Sequence, residues 1–263
     1  MHIRHLIVAA ISLLAVATAT SSLGAQTQPK AALNITGSTW PPYIDKSRPN
    51  FGVAADIVAT AFKRAGYELN GKFESWPRTL EGTSIGVYDV IAAAWYTEER
   101  AKTLAFSEPY MFNDILLVKR KDDDIKFNGF ADLRGLVIGV VDGYAYDEAF
   151  DQAPNLLRVP ANHVIQNLLM LTQGKVDLTI GDKWAIRHEL AQYLPTAAAQ
   201  LEFLPKPVAR RGLHIAVSRA NPQHEKIVAD FNKALAAMKA DGSWQAIIDR
   251  HAKDLAQLAE QPL

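Results

Sequence analysis

Two short strings recur along this 263-residue chain, Gly86-Val-Tyr-Asp89-Val-Ile and Gly174-Lys-Val-Asp177-Leu-Thr-Ile. Each follows a helix-like stretch, and in each a glycine, two residues and an aspartate precede an apolar run. A glycine at that place suits a helix end that turns into the left-handed region. Two copies of one helix–turn–strand unit predict two lobes of similar build. Coincidence is the competing explanation, because glycine and aspartate are common between helices and strands.

The rest of the chain alternates in the same way. Strands are predicted at 32–36, 89–95, 114–119, 136–141, 176–180 and 213–217. Helices are predicted over 51–66, where Val53, Ile57, Val58, Phe62 and Ala65 recur at helical spacing, and over 163–173. A helical tail runs over 222–255, interrupted at Asp241-Gly242. Alternating elements of this kind mean an α/β fold. Chain crossings are expected near Asp114 and Gly212. That makes residues 26–114 and 212–263 one lobe and residues 115–211 a second lobe inserted within it.

Residues 1–25 read as a secretory signal peptide: Arg4, an apolar run from Leu6 to Ala17, then small residues to Ala25. The apolar run is short of the roughly 20 residues that a membrane span needs. The chain has no cysteine, which excludes a disulfide framework, a thiol nucleophile and a lipid-bearing cysteine after the signal. Lys and Arg number 28 and Asp and Glu number 28, with no basic block, so nothing recommends nucleic acid as a partner. The expectation is an exported, periplasmic, monomeric protein.

Several motifs then meet in order: Thr97-Glu-Glu-Arg100, Phe106-Ser-Glu-Pro-Tyr110, Asp132-Leu-Arg-Gly135-Leu-Val-Ile-Gly-Val with Gly143, Gly174-Lys-Val-Asp177, and Asp241-Gly242-Ser-Trp. Together they resemble the periplasmic solute-binding proteins that serve amino-acid ABC transporters. The resemblance covers about Leu33 to Trp244. It implies the two-lobe, type II periplasmic-binding-protein architecture with a small-molecule ligand in the cleft between lobes, and a membrane permease as partner. It also implies that Arg100 grips a ligand carboxylate, that Asp182 receives an ammonium, and that Trp40 and Trp76 line the sides. Hydroxyls that assist in the family are replaced here by Ala93, Trp95 and Ala145, so a standard polar amino acid would lose several hydrogen bonds. The segments Gly143-Tyr-Ala-Tyr146 and Trp76-Pro-Arg78 resemble a less characterised branch.

Arg100 also has a case from its own chemistry. Thr97 is a good N-cap, Glu98 and Glu99 suit a first helical turn, and free N–H groups at a helix start favour an anion. A planar guanidinium holds a carboxylate through two parallel bonds, which lysine cannot do. A surface pairing of Arg100 with Glu99 or Glu108 is the competing reading. Asp182 serves equally well as an ammonium acceptor or as a helix cap. Trp40, Trp76, Trp95, Tyr144 and Tyr146 fall at predicted strand ends or loops, where aromatics wall clefts or cover core. Arg78 is either a second cleft cation or a solvated turn residue. Trp184 and Trp244 lie in helical stretches and read as core.

Catalytic and metal chemistry find no footing. Gly82-Thr-Ser84-Ile-Gly86 matches the nucleophile-elbow string, but a helix precedes it and a strand follows, the reverse of what that motif needs. No histidine pair has zinc-ligand spacing, so neither a metal nor a cofactor is expected. Two other roles on the same architecture stay open: a dehydratase, which needs a carboxyl acid or base in the cleft, and a module reporting ligand to a membrane sensor.

Overall fold

The computed structural model describes residues 32–260. The predicted signal segment, residues 1–25, lies outside them. The first half begins with β1 (Leu33–Gly37), α1 (Val53–Arg64), β2 (Leu69–Phe73), α2 (Trp76–Ser84) and β3 (Val90–Trp95). A single helical turn, α3 (Glu98–Ala101), and β4 (Leu104–Phe106) lead into the long β5 (Met111–Arg120). The second half contains β6 (Val137–Val141), α4 (Glu148–Gln152), β7 (Leu157–Ala161), α5 (Val164–Thr172) and β8 (Leu178–Asp182). It continues with α6 (Lys183–Tyr193), α7 (Pro195–Ala198) and β9 (Leu201–Phe203). The chain returns through β10 (Ala209–Ser218) and ends in α8 (His224–Ala240) and α9 (Ser243–Ala259).

The strand order is β2-β1-β3-β10-β5-β8-β6-β7, with β4 on β10 and β9 on β5. The two ends mirror each other. β1 lies parallel to β2 and β3, and β6 lies parallel to β7 and β8. β5 and β10 run antiparallel between the two ends, and Arg210 pairs with Asp114, so the two expected crossing points sit side by side. Every residue of β3 is buried, as a parallel strand covered on both faces must be.

The recurring Gly-x-x-Asp strings have a common structural task. Gly86 and Gly174 adopt positive φ, 84° and 68°. The aspartate that follows each clamps the first strand of its own half: Asp89 Oδ2 accepts from Asn34 N at 2.8 Å, and Asp177 Oδ2 accepts from Val137 N at 2.8 Å. The main-chain N–H of each aspartate donates to the carbonyl of that same residue, again at 2.8 Å. The echo is therefore one unit built twice.

In α1, Val53, Ile57, Val58 and Phe62 are buried as their spacing predicts, joined by Ala61, while Ala65 caps the helix and is only partly buried. Phe62 meets Phe231 of α8 with ring centroids 5.2 Å apart. Burying one such side chain contributes roughly 2–3 kcal/mol. β2, β4, β7, β9, α4 and α7 fall outside the predicted elements. β2 and β7 are edge strands with few buried residues, so neither carries a strong apolar pattern.

Candidate functional site

In each half the first strand sits between two parallel neighbours, and its C-terminal end opens where the chain leaves in opposite directions. Such switch points are where open α/β sheets bind ligands. Ser38 and Trp40 follow β1, Trp95 ends β3, and Gly143 and Tyr144 follow β6. These ends face one another. Between them lies a cavity of about 30 Å³, room for a water or two. Trp40, Trp76, Trp95 and Tyr144 wall it, Arg100 and Ser38 supply polar groups, and Ala93, Ala94 and Leu213 complete it.

The rings pack edge to face around Trp95. Its ring centroid lies 5.5 Å from that of Trp40 and 5.5 Å from that of Tyr144, with interplanar angles of 87° and 85°. Tyr144 in turn meets Trp76 at 6.1 Å. The walls therefore come from both halves of the molecule. Tyr146 is fully buried beneath them: its hydroxyl accepts from Val141 N at 2.8 Å, and it packs on Trp95 without lining this cavity.

Arg100 is only 8% exposed, which removes the surface pairing with Glu99 or Glu108. Thr97 caps α3 as expected, its Oγ1 accepting from Arg100 N at 3.1 Å. With one turn only, α3 has little dipole and that N–H is already committed, so the guanidinium itself is the anion-seeking group. Nη1 donates to Trp95 O at 2.6 Å, and Nη2 crosses to the other half and donates to Gly143 O at 2.9 Å. The guanidinium carbon stands 5.0 Å from the Trp76 ring centroid. Gly143 O also accepts from Trp76 Nε1 at 3.0 Å. Gly143 has φ +69°, and a Cβ there would press on the Trp76 ring at 3.4 Å. Burial, with the charge of Arg211 adding to it, holds Arg100 down to about 10, so it stays cationic at neutral pH. Among the described residues it makes no ion pair.

Asp182 is placed differently from the expectation. It is 2% exposed and does not line the cavity. Oδ1 caps α6, accepting from Trp184 N at 3.0 Å and Ala185 N at 2.9 Å, and it also accepts from Tyr43 OH at 2.9 Å. Oδ2 accepts from Asn113 Nδ2 at 3.1 Å. The Asn113 carboxamide oxygen takes Trp95 Nε1 at 2.9 Å. A relay Trp95–Asn113–Asp182–Tyr43 thus runs beneath the cavity from one half to the other. Burial outweighs these four bonds and pushes Asp182 up to about 6.

Arg78 lies outside the cavity. Its side chain is 79% exposed on α2, 3.9 Å from Glu74, because the turn that carries Trp76 inward directs position 78 to solvent. Ala145 lines a separate space. That second cavity, of about 540 Å³, shares Tyr144 with the first and is edged by Glu98, Glu99, Asp142, Glu148, Asp151 and Arg211. Trp184 and Trp244 pack against core as expected. Sequence reasoning missed Ser38, Asn113 and Leu213. Ser38 carried a usable signal, since it directly follows a strand at a switch point. Asn113 carried none.

Residues 34–254 match the model of the bacterial extracellular solute-binding proteins, family 3. The chain belongs to this family. Among family 3 relatives, the ABC transporter arginine-binding protein 1 of Escherichia coli is 28% identical over 242 residues, covering 90% of this chain and 96% of its own. The L-cystine-binding protein TcyA of Bacillus subtilis is 26% identical over 86% of this chain and 82% of its own. The fold is that of an ancestral arginine-binding protein solved with arginine, with a TM-score of 0.71 at 23% identity over 85% of this chain and 99% of that one. A histidine kinase sensor domain shares it too, with a TM-score of 0.73 at 19% identity over 83% of this chain and 95% of that one. These likenesses establish the type II periplasmic-binding-protein architecture for this family 3 chain.

Proposed function

We propose that this protein captures a small carboxylate-bearing ligand, an amino acid or a relative of one, in the cleft around Arg100 and delivers it to an ABC permease. One observation carries the reading: a buried guanidinium, walled by three indoles, that meets two carbonyls and no carboxylate. Burying a charge without an opposite partner is costly, and a ligand carboxylate relieves that cost through two parallel bonds. Gly143 brings the other half of the molecule to the same guanidinium. Ligand contacts to both halves stabilise the closed arrangement in proportion to their preference for it.

On this reading residues 1–25 direct export to the periplasm, residues 26–114 and 212–263 form the first lobe, and residues 115–211 form the second. The protein acts as a monomer and as a binder. A dehydratase would need a carboxyl group in the cavity, and the lining holds none.

A thermal-shift screen of amino acids, aromatic acids, diacids and amines finds the ligand. Ligand at about 100 times its Kd adds roughly 2.7 kcal/mol of stability. Arg100→Ala is then expected to weaken that ligand by about 2 kcal/mol or more in calorimetry, as loss of charged hydrogen bonds does. Unchanged affinity in the variant would sink the reading.

A further inference from the structure

We infer that the cleft selects a carboxylate whose body is flat and apolar and which lacks an α-ammonium group, in preference to a zwitterionic amino acid. The inference rests on the carboxylate-capturing role of Arg100 proposed above. It is carried by what the cavity offers to each end of such a ligand.

At the anion end the provision is strong. Arg100 uses hydrogen bonds from two nitrogens for Trp95 O and Gly143 O, while a guanidinium has five N–H donors. Ser38 adds a hydroxyl to the same lining. At the ammonium end, none of the described residues that line the cavity is acidic. Arg100 is the one charged group in the lining, and positions 93 and 94 are alanines.

Asp182 is the carboxylate that the resemblance would assign to an ammonium, and its oxygens are already occupied. Oδ1 accepts three donors, from Tyr43, Trp184 and Ala185, and Oδ2 accepts the Asn113 amide. Oδ1 is saturated by its three donors, and Oδ2, bonded to the Asn113 amide, belongs to a side chain shut off from solvent. To reach it, an ammonium must displace Tyr43, itself 1% exposed, or break the Asn113 bond that also fixes the Trp95 indole. The acids of the second cavity do not line the first, and Asp151 already takes a bond from Asp147 N. An α-ammonium, one carbon removed from a carboxylate held on Arg100, would stand among indole faces. Those faces attract a cation less than a carboxylate does, and the group would still lack acceptors for its N–H donors. The same walls suit a flat apolar body, which gains from leaving water and needs no partner.

Matched pairs isolate the ammonium: L-phenylalanine with 3-phenylpropionate, L-tryptophan with indole-3-propionate, L-leucine with 4-methylpentanoate, and L-arginine with 5-guanidinopentanoate. Titration calorimetry at pH 8 compares the members of each pair on the full exported chain. The expected result is that, in every pair that binds, the acid without the ammonium is at least tenfold tighter. A smaller preference, or tighter binding of the amino acid, overturns the inference and leaves the carboxylate-capture reading standing. No binding in any pair overturns both. Tyr43→Phe provides an independent check, because it frees one acceptor site of Asp182 while keeping the ring. In that variant the amino acid should gain at least threefold on its partner, and an unchanged ratio counts against the inference.

Discussion

At the scale of single residues, burial decides more than residue type. Asp182 and Glu189 are both carboxylates of the β8–α6 segment, yet their surroundings differ. Asp182 has four donors. Glu189 is half-buried, and desolvation alone pushes it up to about 7. A folded-state pKa above the unfolded one means that the native state binds the proton more tightly. Stability from this group is therefore complete below about pH 4.5 and is lost as the pH rises through 7. Glutamine keeps the shape without the charge. The difference in melting temperature, Glu189→Gln minus wild type, is expected to grow more positive between pH 4.5 and pH 8. A difference that stays flat across that range would show that the carboxyl is solvated.

At the scale of elements, the two aspartates of the repeated unit permit a comparison within one molecule. Both join the third strand of a half to its first strand through a charged hydrogen bond. Their second oxygens differ: Asp89 Oδ1 accepts from Asn221 Nδ2 at 2.8 Å and so holds the segment between β10 and α8, whereas Asp177 Oδ1 has only a long, part-exposed ion pair with Arg120 at 3.9 Å. Hydrogen bonds to a charged group are worth about 1.5–3 kcal/mol. Asp89→Ala is expected to lower the midpoint of urea unfolding more than Asp177→Ala does, by the equivalent of about 1 kcal/mol or more. Equal losses would mean that the Asn221 contact contributes nothing.

At the scale of the whole molecule, α9 matters beyond its own lobe. Its buried His251 donates from Nε2 at 3.0 Å to Asp56 Oδ2, the atom that also accepts from Arg250 Nη1 and Asn50 Nδ2, each at 3.0 Å. Asp56 thereby ties α1, the loop before it and α9 together. Further along, Leu258 O accepts from Arg187 Nη1 of α6 at 3.0 Å, so the same helix reaches the other half of the sheet. Removing the central acceptor strands the buried imidazole of His251, while the exposed Arg250 and Asn50 turn to water. Asp56→Ala should cost about 2 kcal/mol by chemical denaturation, a size that surface carboxylates do not reach.

The alternation of elements, the twofold Gly-x-x-Asp unit and most of the apolar stripe of α1 were legible in the chain, because each is a local pattern with a period or a punctuating residue. Family membership was legible for the same reason, through motifs in order. The edge strands were not, since a half-exposed strand needs no apolar alternation. Arg100 and the aromatic walls could be named from the sequence, but their mutual geometry could not. Whether Asp182 faces a ligand or caps a helix depends on Tyr43 and Asn113, which are distant from it in sequence and approach it only when the two halves of the sheet come together. Local propensity reports what a residue can do with its neighbours in the chain. Burial and hydrogen-bond competition are set by neighbours in space, and the folded sheet alone supplies those.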